Sequence, residues 1–325
     1  MEVLTPGKNN PHSLHPSKDP ATLITPTDIS AGDPILRVEE PDETRTISLH
    51  PGTIASNQSI CYGYSSSRMT ETVAPYNGTG SYLRQWQKSM DSINWENITG
   101  ATRNNYSPSY NHTATVYYRV RYISGIETAY SNKVKIKVFL RIDPGTIGTN
   151  QSVVVGNTAS LTEVTPASGG SSSGVITYQW YTSSNDIYFI PITGATSSNY
   201  TTFAITTLSY FSRTGVRGGC TSERSNSIRI DIIPLLTPGA IRSSQTIASG
   251  TIPIPLDQLT SCTGGLGVYT FQWEYSTDNI HWTVIGGATL SDYIPEILFT
   301  TTYYRRKATS GTQTAYTPVL TITVT

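Results

Sequence analysis

From residue 44 onward, apolar and polar positions alternate along much of the chain with a period of two, as in strands that bury one face. The clearest case pairs Val134, Ile136 and Val138 on one side with Lys133, Lys135 and Lys137 on the other. Ile228, Ile230 and Ile232, and later Leu320, Ile322 and Val324, repeat that apolar spacing. Three tryptophans end same-face sets of their own: Tyr82, Arg84, Trp86; Ile176, Tyr178, Trp180; and Tyr269, Phe271, Trp273. Arg84 interrupts its apolar face, so its head group is expected to snorkel to the sheet edge or to find a partner. In the double-aromatic strand, Tyr118, Phe211 and Tyr304 are expected to face inward, and Tyr117, Tyr210 and Tyr303 outward.

These strands recur as a unit. Pro51-Gly52-Thr53-Ile54 returns at Pro144-Gly145-Thr146-Ile147 and Pro238-Gly239-Ala240-Ile241, while Gln85-Trp86 returns at Gln179-Trp180 and Gln272-Trp273. Gly100-Ala101-Thr102 likewise reappears at 194–196 and 287–289, and Tyr117-Tyr118 at Tyr210-Phe211 and Tyr303-Tyr304, so four landmarks keep one order and one spacing of 93 or 94 residues. About seven short strands per unit, with Gly, Pro, Asn and Ser turns and a Trp in the third or fourth strand, fit an immunoglobulin-like sandwich. The expected fold is all-β: three tandem immunoglobulin-like β-sandwich domains in an extended rod, preceded by a Pro-rich leader. The expected spans are 1–43 for the leader and 44–139, 140–233 and 234–325 for the repeats. The joins carry no Gly/Ser spacer, which restricts motion between neighbours. With strands rising about 3.3 Å per residue, the rod would be on the order of 100 Å long. Seven prolines punctuate the leader, which reads as an extended linker. Pro34–Val38, or Thr46–Leu49, could instead add a strand to a neighbouring domain or chain.

Composition narrows the function. Only 14% of residues are charged, and 22 Lys+Arg balance 22 Asp+Glu, which argues against a nucleic-acid footprint. No apolar run of about 18 residues is present, so no membrane span is expected. Residues 1–20 lack the pattern of a secretory signal, so an exported chain would be a mature form or an excised piece.

Candidate chemistry is sparse. Gly170-Ser171-Ser172-Ser173-Gly174 matches the serine-hydrolase elbow, but Val175-Ile176-Thr177-Tyr178 continues as a strand where that motif needs a helix. His12 and His15 lack nearby carboxylates or thiols, and Asp91, Asp186 and Asp278 each stand alone in a turn, so no metal site and no cofactor are expected. Trp95, Phe189 and Trp282 recur five residues before the Gly of Gly-Ala-Thr on an expected edge strand. Such aromatics could stack on sugars, or pack over the sandwich rim. Outward Tyr117, Tyr210 and Tyr303, with Arg119 and Arg305, form either an adhesive stripe or ordinary strand surface.

Asn57-Gln-Ser-Ile-Cys-Tyr-Gly63, Gln85-Trp86, Ser89-x-Asp91-x-x-x-Trp95, Ile98-Thr-Gly-Ala-Thr102 and Tyr130-Ser131-Asn132 together resemble the tandem Ig-like repeats of large surface proteins from gliding bacteria. Those include gliding adhesins and other type IX secretion substrates. The resemblance implies an exported protein of the bacterial cell surface, non-catalytic, whose repeats form a stalk or adhesive surface. Its partners would be other repeats or chains of a surface assembly, with glycans or external surfaces as further candidates. Asp91-Ser92-Ile93 also looks like an O-glycosylation sequence of related bacteria. The alternative is a glycan-binding array attached to a secreted polysaccharide-degrading enzyme. Repeats of that class often carry one Cys after the first short strand and another at the start of the last. Here Cys61 faces Ile126-Glu127 in repeat 1, Cys220 faces Val154-Val155 in repeat 2, and Cys262 stands elsewhere, so no disulfide is expected.

Overall fold

The protein is described by a computed structural model over residues 47–242 and 244–325; the Pro-rich leader, with Pro34–Val38, His12 and His15, lies outside the described residues. Every regular element among the described residues is a β-strand. Repeat 1 contains β1 (Thr53–Ile54), β2 (Gln58–Ile60), β3 (Met69–Val73), β4 (Leu83–Ser89), β5 (Glu96–Asn97), β6 (Asn105–Tyr106), β7 (Val116–Ser124), β8 (Glu127–Tyr130) and β9 (Val134–Val138). One sheet runs β2-β9-β7-β4-β5, with β8 also on β7, and the other runs β1-β3-β6. The β2–β9 pair is parallel because the chain switches sheets between β1 and β2. The same parallel pairing joins Gln151–Val154 to Ile228–Ile233 and Gln245–Ile247 to Leu320–Val324. Each repeat is thus an immunoglobulin-like sandwich.

The recurring motifs have distinct structural jobs. Trp86, Trp180 and Trp273 are fully buried between the sheets, and each indole Nε1 donates to a carbonyl 17 residues on, that of Arg103, Ser197 or Leu290 (2.9, 2.8 and 3.0 Å). The preceding Gln85, Gln179 and Gln272 each donate Nε2 to the Trp carbonyl and to that of Ile98, Ile192 or Ile285. The amides of Trp86, Trp180 and Trp273 reach the carbonyls of Ala101, Ala195 and Ala288. Gln-Trp and Gly-Ala-Thr are therefore two halves of one clamp, closed by a turn in which Gly100, Gly194 and Gly287 have φ near 75°. Pro-Gly marks a different constraint. A Cβ at Gly52, Gly145 or Gly239 would lie 2.4, 2.2 or 2.3 Å from a backbone oxygen of the neighbouring strand, so only glycine lets the two backbones meet there.

A bulge between β8 and β9 accounts for Tyr-Ser-Asn. Val120 N donates to Ser131 Oγ (2.9 Å), while Asn132 accepts from Ile54 N (2.7 Å) and donates to Ile54 O (3.1 Å), tying β1 to the opposite sheet. Asn226 does the same to Ile147. Leu49 is buried in this repeat's own core, and Ile47–Leu49 form no strand.

Arg84 finds its partner in the sheet opposite. Its guanidinium donates twice to Glu71 (3.1 Å each), which also accepts from Tyr122 Oη. In repeat 2 the arginine comes from the adjacent strand: Arg213, beside Trp180, and Tyr178 both donate to Glu163 (2.7 Å each). In repeat 3 Arg306 takes Arg213's place and donates to Gln258 Oε1. A cation over an aromatic ring thus occupies the same slot three times, supplied by different strands.

The expectation of three unpaired cysteines is wrong: Cys61 and Cys220 form a disulfide, with Cα atoms 5.5 Å apart. The bond crosses between two sandwiches, so neither repeat contains both of its cysteines. Cys61 follows β2 of repeat 1, and Cys220 lies on the hairpin Arg217–Cys220 of repeat 2, which packs against that end. The next junction uses the same edges: Val154, Asn157 and Thr158 of repeat 2 share a cleft with Ser310–Gln313 of repeat 3. At Cys220's hairpin position, repeats 1 and 3 carry Glu127 and Gln313. These side chains accept from the amides of Leu49 (2.6 Å) and Leu236 (2.9 Å) and so pin the incoming chain. Cys262 is a free, buried thiol donating to Pro238 O.

A non-reducing peptide map should yield a crosslink between the peptides holding Cys61 and Cys220, with Cys262 alkylated only after unfolding; a Cys262 crosslink would contradict this packing. Glu163→Ala leaves the fully buried Arg213 without its carboxylate and should lower the stability of repeat 2 by about 3–5 kcal/mol in chemical denaturation.

Candidate functional site

The outward face of the six-stranded sheet gathers the polar and aromatic residues singled out from the sequence. Facing positions on β4, β7 and β9 place Gln87 beside Arg119, and Tyr117 beside Lys135. The turn from β4 to β5 is built by Asp91, whose Oδ1 accepts from Ser89 Oγ and from the amides of Ile93 and Asn94 (2.8 Å each). Those backbone amides hold the Asp91 carboxyl well below the usual carboxylate range. Asp278 is held low in the same way, with the His281 side chain as its strongest partner. In repeat 2 this role belongs to Asn185, and Asp186 occupies the next position with φ of 60°. The turns are thus self-contained hydrogen-bonded loops.

Each turn delivers an aromatic ring to an arginine. Arg119 is sandwiched between Trp95 (4.2 Å from guanidinium carbon to ring centroid) and Tyr130 (3.9 Å), and Arg305 between Trp282 (4.1 Å) and Tyr316 (4.2 Å). Repeat 2 has Ser212 in place of Arg119, and Arg224, from the last-strand side, stacks on Phe189 instead (4.6 Å). A ring face of Trp95, Phe189 and Trp282 is therefore occupied by a cation of its own repeat. Tyr117, Tyr210 and Tyr303 lie half-buried on the outward side, whereas Tyr118, Phe211 and Tyr304 are buried. The structure brings Trp95 together with Arg119 and Trp282 with Arg305. Tyr130, Tyr316 and Arg224 were not anticipated. The signal for Tyr130 was its place in Tyr-Ser-Asn beside the bulge, which aligns it across from Arg121.

Polar partners differ between the sandwiches. Arg305 pairs with the buried carboxylate of Glu274 (2.7 Å), whereas Arg119 donates Nε to the neutral Gln87 (2.8 Å). Gly170–Gly174 connects Ser168–Gly170 to Thr177–Ser183 with strands on both sides, and Ser171 Oγ is buried against Ser173. Among the described residues no three His, Cys, Asp or Glu side chains cluster as metal ligands. Burial pushes the Cys262 thiol up and the His112 imidazole down, away from their charged forms. A cleft of about 450 Å³ at the first junction is walled by the disulfide, Tyr62, Tyr64, Arg141 and Glu223.

Residues 50–139, 143–234 and 237–325 each match the family described as Domain of unknown function (DUF8696). No curated protein matches the chain. Among solved structures, the chain is similar to the titin I67–I69 three-Ig fragment in its E-to-A variant (11% identity, TM-score 0.45, covering 85% of this chain and 100% of that one). It is also similar to the three N-terminal domains of the Highly Immunogenic Outer Capsid protein of bacteriophage RB49 (13%, TM-score 0.39, 85% and 99%). Sidekick-1 immunoglobulin domains 1–4 give 14% identity, a TM-score of 0.34 and coverage of 85% and 76%.

Because Arg119 packs between two rings, Trp95→Ala and Arg119→Gln should be non-additive. A double-mutant cycle on unfolding should give a coupling of about 1 kcal/mol, and a value of zero would mean that the stack is fortuitous.

Proposed function

The chain belongs to the DUF8696 family through three consecutive copies of its domain, and from that premise we propose that it is a non-catalytic structural and adhesive stalk segment of an exported bacterial surface protein. The observation that carries this reading is the pair of junctions. Successive sandwiches meet through the same edges, without a flexible spacer, and the first contact is covalent. Such joins transmit position and force from one domain to the next. A disulfide between two sandwiches is stable in an oxidising compartment, which supports export over the reducing cytosol. No helix among the described residues is long and apolar enough to cross a membrane. The motifs shared with gliding-bacterial surface repeats give the bacterial surface and type IX secretion their place in the proposal. Partners are neighbouring repeats or chains of a surface assembly, and an array of this kind gains strength from many weak contacts.

The glycan-binding array of a secreted enzyme ranks second, because neutral sugars need open aromatic faces and Trp95 and Trp282 each have one face covered by guanidinium.

Surface biotinylation and protease shaving of intact source cells should label and release the chain, and small-angle scattering should give a maximum dimension on the order of 100 Å for residues 48–325. Retention of the chain in the cytosol with free Cys61 and Cys220 thiols would overturn this reading.

A further inference from the structure

The chain is neutral as a whole, but its repeats are not. Residues 50–139 carry nine Lys and Arg against four Asp and Glu, while 143–234 and 237–325 each carry four against five. In repeat 1 five of the nine cations share one sheet face: Arg119 and Arg121 on β7, Lys135 and Lys137 on β9, and Lys133 just before it. Alternate residues of a strand stand about 7 Å apart and neighbouring strands about 5 Å apart, so these side chains form two adjacent rows spanning roughly 20 Å.

The corresponding face of repeat 2 holds Ser212, Thr214, Ser227, Arg229 and Asp231, of which Arg229 and Asp231 pair at 2.6 Å. On repeat 3, Arg305 is neutralised by Glu274, Lys307 stands at the position of Arg121, and Val319, Thr321 and Thr323 replace the three lysines. Among the described residues, none of the five cations of repeat 1 forms an ion pair. Arg119 shows how the face is built. Its two flat sides are clamped by Trp95 and Tyr130 and its Nε is held by Gln87, which fixes the guanidinium and leaves the far edge of the fork toward solvent. A fixed, planar fork is the geometry that receives a carboxylate or sulfate through two parallel hydrogen bonds. Beside it, Arg121 Nε is a buried donor without a partner among the described residues. Lys133 is anchored by Ser92 O (3.0 Å), near Trp95.

We infer that this face of repeat 1 binds an acidic polysaccharide, a chain bearing carboxylate or sulfate groups at regular intervals. The unpaired cation rows match a linear polyanion in sign and in extent. Single-stranded nucleic acid is disfavoured because base stacking needs open rings, and a face of Trp95 and of Tyr130 is already taken by Arg119. The preference for a polysaccharide also rests on the exported setting proposed above, where such polymers are the accessible anions. Repeats 2 and 3, which keep at most one unpaired cation on this face, do not share the activity.

The test is fluorescence anisotropy of labelled polygalacturonate and dextran sulfate with the full chain, using neutral dextran, a single-stranded DNA 20-mer and phosphatidylglycerol vesicles as comparators. Saturable binding of at least one acidic polysaccharide is expected, weakening about tenfold or more between roughly 50 and 200 mM salt. The two polymers separate carboxylate from sulfate recognition. The triple substitution K133Q, K135Q and K137Q, at unchanged thermal unfolding, should weaken binding about tenfold, R119Q about threefold, and R305Q in repeat 3 not at all. Wild-type binding by the folded triple variant, equal binding of neutral dextran, or DNA or vesicles binding as tightly as both acidic polysaccharides would each overturn the inference. None of those results would bear on the stalk reading, which is decided by surface labelling.

Discussion

Each sandwich is organised by one buried indole that has to satisfy its N–H. Trp86, Trp180 and Trp273 can be fully buried only because a carbonyl 17 residues later turns inward to accept from Nε1. That requirement fixes where the chain goes after β4. The Gln side chain beside each Trp and the Gly-Ala-Thr turn close the same loop, so the segment bearing Trp95, Phe189 or Trp282 is held over the outward sheet. Losing such a Trp would remove the largest side chain of the core, at a cost of about 3–5 kcal/mol, and would also free the turn that supports the outer face. The Arg119 stack is therefore a consequence of the core clamp.

The repeat architecture was legible because motifs made by backbone constraints recur wherever the constraint does. Gln-Trp, Gly-Ala-Thr and Pro-Gly mark a clamp, a turn and a close backbone approach, each set inside one sandwich. Contacts supplied by interchangeable strands were harder to read. Arg84 stood out as an arginine on an apolar face, yet Arg213 and Arg306 fill the same slot from the neighbouring strand, where no residue-by-residue match reveals them. The Cys61–Cys220 pair is not legible from a single repeat, because each repeat holds only one of its two cysteines. Their positions do correspond to the two cysteine sites of the resembling repeats, but the bond joins one sandwich to the next. The basic face was hidden by averaging: whole-chain neutrality conceals an excess of cations on repeat 1 and its absence on the other two.

Function follows from separating two surfaces. The facing ends of successive sandwiches are committed to each other, through Cys61 and Cys220 at one junction and through Val154 and the Ser310–Gln313 hairpin at the other. The sheet faces stay outward, free to diverge. Joins of this kind leave each repeat's sheet face to carry its own side chains, and repeat 1 carries lysines and an unpaired Arg119 where repeat 3 pairs Arg305 with Glu274.

Hydrogen–deuterium exchange of residues 48–325, with and without reductant, tests the central claim most directly. The account predicts that the amides of Trp86, Trp180 and Trp273 exchange among the slowest in the chain. It also predicts that the Arg217–Cys220 hairpin is better protected than Ser310–Gln313 until reductant is added, and that the two then become alike. Rapid exchange at the three tryptophans, or a Cys220 hairpin indifferent to reductant, would contradict it.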